Sequence, residues 1–225
     1  MKKFGFTLAE VLVTLGIIGV VSAMTIPSLS TNANNKANAA KLSATISTLE
    51  TAISNMMADE GVVDIFDIID YEKKITKYIK LLKLEDGDFG VNYEKDANYN
   101  RFGKTIDGNS GITGTDFKSG GMPSLLKNGA YVQIDSFHEK IFIDTNGDAK
   151  PNIFGRDMHY FKLSSEGKLL AFGSRALEDY TKGVNYLENA EHWLTSSNKQ
   201  YACNDSKKGL GCTGRLVENN FVVDF

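Results

Sequence analysis

From Phe6 to Ile26 nearly every position is apolar or small, whereas farther along apolar residues recur only every three or four positions. At 1.5 Å per residue, about 20 apolar residues cross a hydrocarbon core of roughly 30 Å, so the first run predicts a membrane-spanning helix. Past Pro27, Leu42, Ile46, Leu49, Ile53 and Met56/Met57 share one face of an amphipathic continuation. Pro27 predicts a kink rather than an end to this helix, because the apolar spacing resumes beyond it. The Ile/Leu/Met stripe is read as packing on the protein's own sheet in preference to a partner-binding groove.

Gly61 breaks the run, and a second helical pattern opens at Asp64, with Ile68, Tyr71, Ile75, Ile79 and Leu82 on one face. Lys73, Lys74, Lys77, Lys80 and Lys83 fall largely outside that face. They read as a solvated side, the alternative being a surface that meets acidic polymer or lipid headgroups. Positions 85–121 are rich in Gly, Asn, Asp and Ser without a sustained period, which predicts a long loop. Short β-prone runs follow at Ala130–Asp135, Lys140–Thr145, Met158–Ser164 and Lys168–Phe172, parted by turn signals such as Glu166-Gly167. They predict an antiparallel meander. A last helical segment over Leu177–Ser196, a cysteine-bearing loop and a terminal stretch from Arg215 complete an α+β chain, a long helix on an antiparallel sheet.

The length of 225 residues suits one anchored domain. A net charge of −3 gives no broad basic field, so nucleic acid is not indicated as a partner. Lys2 and Lys3 precede the apolar run and hold that end in the cytoplasm by the positive-inside rule, which places the rest of the chain outside. In that compartment the two cysteines, Cys203 and Cys212, read as a disulfide.

One carboxylate, Glu10, lies inside the apolar run. A secretory signal peptide also has a basic start and an apolar centre, and Val21-Ser22-Ala23 would serve as its cleavage site. An acid in a membrane segment costs about 2.5–3.5 kcal/mol on insertion scales, a cost for which a disposable targeting segment has no use. Gly5-Phe6-Thr7-Leu8-Ala9-Glu10 followed by an apolar run resembles the prepilin signature of type IV pilins and type II secretion pseudopilins, and Pro27 lies where many pilins interrupt their first helix. The resemblance implies a leader of residues 1–5, a helix over 6–58 (membrane or filament core 6–27, amphipathic 28–58) and an extracytoplasmic head over 59–225. It further implies cleavage between Gly5 and Phe6 by a prepilin peptidase, N-methylation of Phe6, and pairing of Glu10 with the Phe6 amine of a neighbouring subunit. The alternative for Glu10 is that it snorkels toward the headgroups. The partners so implied are other pilin-like subunits, the peptidase and an inner-membrane assembly platform. The precursor would be a single-pass protein of the cytoplasmic membrane and the product a filament outside the cell.

The strongest site for other chemistry is Asp144-Thr-Asn146-Gly147-Asp148, with Asn152 and Asp157 following. Oxygen-bearing side chains at alternate positions suit Ca²⁺, which takes six to eight oxygen ligands, although the spacing is not that of an EF-hand. The competing reading is a turn at Asn146-Gly147 whose aspartates bond their own backbone. Some pseudopilins bind Ca²⁺ in a loop of the sheet region, and this segment resembles them loosely at Asp144, Asn146 and Asp148. The C-terminal cysteine pair resembles pilins instead, and a DNA-uptake fibre shares the same N-terminal signature. Gly209-Leu-Gly211-Cys-Thr-Gly214 spells GxGxxG without the preceding strand of a dinucleotide site. His138-Glu139 lacks the second histidine of HExxH, and His138, His159 and His192 stand isolated, so no catalytic constellation is expected.

Overall fold

The computed structural model describes residues 7–79, 81–84, 124–135, 139–146, 149, 153–182, 190–197, 201–204 and 209–225. One helix, α1, runs Leu8–Glu60 with Pro27 inside it. Its residues switch environment along its length. None of the described side chains before Lys36 is buried, whereas Ala39, Leu42, Leu49, Ile53 and Met56 are at most 2% exposed. The stripe legible in the sequence is therefore the face that lies on the sheet. Gly61 ends the helix in the left-handed region (φ 70°), and its N–H returns to the Ala58 and Met57 carbonyls.

The segment after Gly61 departs from the expected second helix. It forms a 3₁₀ turn at Ile65–Asp67, a short helix α2 at Tyr71–Lys74 and another 3₁₀ turn at Ile75–Lys77. Leu82, expected on the helical face, belongs instead to a strand, β1, at Leu81–Leu84. Asp70 at φ 55° and the absence of a side-chain cap on α2 show why one continuous helix does not persist there.

Five more strands follow: β2 Ser124–Leu126, β3 Tyr131–Asp135, β4 Lys140–Asp144, β5 Met158–Leu163 and β6 Leu169–Ala171. All six lie side by side in sequence order, each antiparallel to the next. The four expected strands are β3 to β6; β1 and β2 are additions to the expected sheet. The register places Val132, Ile134, Ile141, Ile143, Phe161 and Leu163 on the face toward α1, where they form one core with Leu42, Leu49 and Ile53. Alternate residues of β5, Met158 and Tyr160, point the other way into a second cluster with Phe154, Phe172, Tyr201 and Leu210. A sheet covered on both faces carries little polar alternation, so β5 reads as a nearly continuous buried run.

Helix α3 covers Arg175–Thr181, shorter than the expected Leu177–Ser196; residues 183–189 lie outside the described set, and 190–197 are without regular structure. A fourth helix, α4, occupies Cys212–Glu218 in the stretch expected to be a loop and tail. Leu216 carries it into the α1-side core, and Thr213 Oγ1 accepts the Tyr160 N–H at 3.3 Å.

Candidate functional site

The start of α1 is built around Thr7 and Glu10. Thr7 is the N-cap: its Oγ1 accepts the Glu10 N–H (3.3 Å), while Glu10 Oε2 accepts the Thr7 N–H (2.8 Å) and the Thr7 hydroxyl (2.7 Å). This is a capping box, two donors of the first turn satisfied reciprocally, with the carboxylate at the positive end of the helix dipole. Within one chain Glu10 thus already has a structural use, and among the described residues Oε1 takes no hydrogen bond. The Thr-x-x-Glu spacing before an apolar run is the available sequence signal for it. Gly5 and Phe6, the expected cleavage and methylation residues, lie outside the described residues.

Beyond the cap, α1 offers an apolar surface on every side: Leu8 is 80% exposed, Leu12 61%, Ile18 60%, Met24 74% and Leu29 67%. It is long and apolar enough to cross a membrane by length and composition. Exposed aliphatic surface of this extent is far more than a water-soluble monomer carries, so it calls for lipid or protein around it.

At the head's C-terminal end, Cys203 and Cys212 form a disulfide. The glycines of the GxGxxG string serve close packing there. A Cβ on Gly211 would fall 1.6 Å from the Tyr201 carbonyl oxygen, and one on Gly214 would fall 2.4 Å from the Ser174 nitrogen. Glu218 ties three segments together, its carboxylate accepting from Arg175 N–H (2.6 Å) and Trp193 Nε1 (2.7 Å) and lying 2.9 Å from His192 Nε2. Burial pushes this carboxyl up, but those hydrogen bonds outweigh burial and hold it below the usual carboxylate range. Arg215 packs over the Trp193 and Phe225 rings and binds Asp224 through two nitrogens. Of these groupings only the cysteine pair is legible in the sequence.

The oxygen-rich loop links Asp144, Asn146 and Asp157 through hydrogen bonds, while Asp148 and Asn152 lie outside the described residues. Asp144 Oδ1 accepts the Asn146 N–H (3.1 Å), Asn146 Nδ2 donates to Asp157 Oδ2 (2.9 Å), and Asp157 Oδ1 accepts from Ile153 N–H. Thr145 adds its N–H (2.7 Å) and hydroxyl (3.1 Å) to the Asp157 carbonyl. The carboxylates therefore hold the loop's own backbone, and among the described residues no three His, Cys, Asp or Glu side chains are grouped to hold a metal ion. Asn146 Oδ1 is buried without a hydrogen bond.

Of the histidines, His138 lies outside the described residues and His192 belongs to the Glu218 cluster. His159 is fully buried on the α1 face of β5, with neither ring nitrogen hydrogen-bonded. Burial drives its pKa down, to about 3, against a weaker upward pull from the Arg156 backbone.

A half-exposed apolar helix, capped by an acid at its start and lying with its far half on an antiparallel meander, defines a pilin-like α+β protein. Residues 1–26 match the family model described as the prokaryotic N-terminal methylation motif, which is characteristic of type IV pilins and pseudopilins. No curated protein and no solved structure matches the chain.

Proposed function

We propose that this protein is a structural, non-catalytic subunit of a type IV pilus-like or type II secretion filament, cut between Gly5 and Phe6 by a prepilin peptidase and N-methylated on Phe6. The observation that carries this reading is the uncovered apolar half of α1, most of which lies within the methylation motif. Before assembly that half sits in the cytoplasmic membrane with the head outside. During assembly it leaves lipid for a bundle of like helices, an environment of similar polarity. Glu10 then accepts the cationic Phe6 amine of a neighbour, its unengaged Oε1 leaving room for this beside the capping box. An inner-membrane platform would drive the transfer.

Mass spectrometry of the mature N-terminus, together with recovery of sheared filaments, tests the reading. N-methyl-Phe6 and filaments containing the chain are expected; a mature N-terminus at Met24 would instead indicate secretion. The second reading is a secreted or anchored Ca²⁺-dependent binding module. It is favoured by one observation, the buried Asn146 carbonyl oxygen without a hydrogen bond beside Asp144 and Asp157. Such an ion would add a positive charge to a loop that the carboxylates already organise.

A further inference from the structure

Among the described residues, the two ends of the head differ in charge. From Val11 to Leu49 the chain contains no Asp or Glu, and its only charged side chains are Lys36 and Lys41. Lys127 joins them from the β2–β3 turn. That turn is fixed against α1, because Asn128 Nδ2 donates to Thr45 Oγ1 (2.8 Å) and the position a Cβ would take on Gly129 lies 3.7 Å from Lys41 Nζ. Lys36 and Lys127 are exposed and Lys41 is half-buried, and among the described residues none of the three forms an ion pair. Two carboxylates of the β4–β5 connection lie at this same end, Asp144 and Asp157, but they are 1% and 0% exposed and hold the loop's own backbone. Arg156 beside them is half-buried, and Asp148 and Lys150 lie outside the described residues. At the far end, Asp59, Glu60, Asp64, Asp67, Asp70 and Glu72 are all at least partly exposed, against Lys73, Lys74 and Lys77. Lys73 and Lys74 are paired there, with Asp70 (3.9 Å) and Glu60 (2.8 Å).

We propose that Lys36, Lys41 and Lys127 form a collar that binds the anionic phospholipid headgroups surrounding the exposed half of α1. The inference rests on the membrane step of the filament reading. With Ile26 at the edge of the hydrocarbon, Lys36 stands ten positions, about 15 Å, beyond it, and the headgroup layer takes up roughly 5–8 Å of that. A lysine stem spans most of the remainder. Lys41 and Lys127 lie about 8 Å higher, near the limit of the roughly 8–10 Å over which charges act in physiological salt. A tilt of the helix toward the β2–β3 turn lowers them. Cleavage after Gly5 would remove Lys2 and Lys3, and Lys36 would then be the first Lys or Arg of the chain. The collar is thus the basic group closest to the bilayer plane, with no exposed carboxylate between it and the apolar half.

The test uses the full processed chain in phosphatidylcholine vesicles that hold a trace of spin-labelled phosphatidylglycerol or spin-labelled phosphatidylcholine. Electron paramagnetic resonance reads the fraction of each label immobilised at the protein. Phosphatidylglycerol is expected to be favoured by about fivefold, the preference that one lysine at the surface supplies. At about 1 M salt, where the screening length is about 3 Å, the preference should fall toward unity. Replacing the three lysines together, Lys36→Gln, Lys41→Gln and Lys127→Gln, should leave only what the Phe6 amine contributes. Lys73→Gln with Lys77→Gln, at the far end, should match wild type. Equal immobilisation of the two labels by wild type overturns the proposal, as does a preference that survives the triple replacement or falls as far in the far-end pair. Equal immobilisation together with loss of filaments in the triple variant would set the lysines against another copy of the chain, and overturns it too. All of these leave the filament reading intact. A processed chain that immobilises neither label overturns the membrane step of that reading, and the collar with it.

Discussion

Lowering the pH should destabilise the head, and one residue, His159, should account for a large part of the loss. Its imidazole is completely buried, has only a weak contact with the Arg156 backbone in place of a hydrogen bond of ordinary geometry, and is held neutral down to about pH 3. In the unfolded chain an ordinary histidine takes a proton near pH 6.5. Because the folded value is the depressed one, its contribution is fully present above pH 6.5 and is lost progressively as pH falls from there to about 3. Each unit below 6.5 removes about 1.4 kcal/mol, so the loss is about 2 kcal/mol at pH 5 and about 3 kcal/mol at pH 4. That is a large share of the roughly 5–15 kcal/mol by which a domain of this kind is stable. The assay is urea unfolding at pH 7, 5 and 4 of a head beginning at Thr31, which keeps every residue of both cores. His159→Leu has no proton to take up and should lose about 3 kcal/mol less than wild type between pH 7 and pH 4. At pH 7 its stability should lie close to that of wild type, since the ring nitrogens it removes have only the weak contact with the Arg156 backbone. An equal acid loss in wild type and His159→Leu would refute the reasoning.

Replacing both Cys203 and Cys212 with Ser should cost about 2–3 kcal/mol under oxidising conditions, read as a lower urea midpoint; no change would mean the bridge adds nothing. Glu10→Leu removes the acid from the apolar run and should ease membrane insertion by about 2–3 kcal/mol, leaving a normal processed pool but few sheared filaments. Wild-type filament quantity would show that the neighbour's amine needs no carboxylate. Thr7→Ala weakens the helix cap by about 1 kcal/mol and removes one hydrogen bond to Glu10 but leaves its carboxylate in place, so filament yield should fall less than in Glu10→Leu. If Ca²⁺ binds the Asp144–Asp157 loop, 1 mM calcium should raise the melting temperature and chelator reverse it; an indifferent melt leaves the loop held by hydrogen bonds alone.

The long helix and the strands β3 to β6 are legible in the sequence because their periods are local. Leu42, Leu49 and Ile53 repeat within a few turns, and Val132/Ile134 and Ile141/Ile143 alternate within single strands. β1 is masked because Ile75, Ile79 and Leu82 happen to keep helical spacing. Its pairing with β2 joins positions some forty residues apart, which no local window contains. α4 is hidden by Gly214 and by its dependence on tertiary packing of Leu216 and Thr213. Within the candidate site, Glu10 stands out as an acid in an apolar run, and that prominence obscures its bond to Thr7 although the capping spacing is present. The Glu218 cluster and the buried His159 exist only through tertiary contacts, so sequence pattern carries no sign of them.

The passage of α1 from exposed helix to core wall without interruption sets the geometry of encounter between subunits. Ala39, the first fully covered core residue of α1, lies ten positions after Leu29, so with a membrane around the exposed half the head would begin within about 15 Å of its face. A helical tether of that length is stiff where a glycine-serine linker would wander. A membrane-held precursor would therefore offer its head at nearly one height and tilt. On the filament reading, subunits diffusing in a membrane would meet in a plane with their helices already aligned, and a three-dimensional search would become a two-dimensional one of few orientations. Much of the entropy that association otherwise costs would be removed when such a chain is anchored, before any filament contact forms.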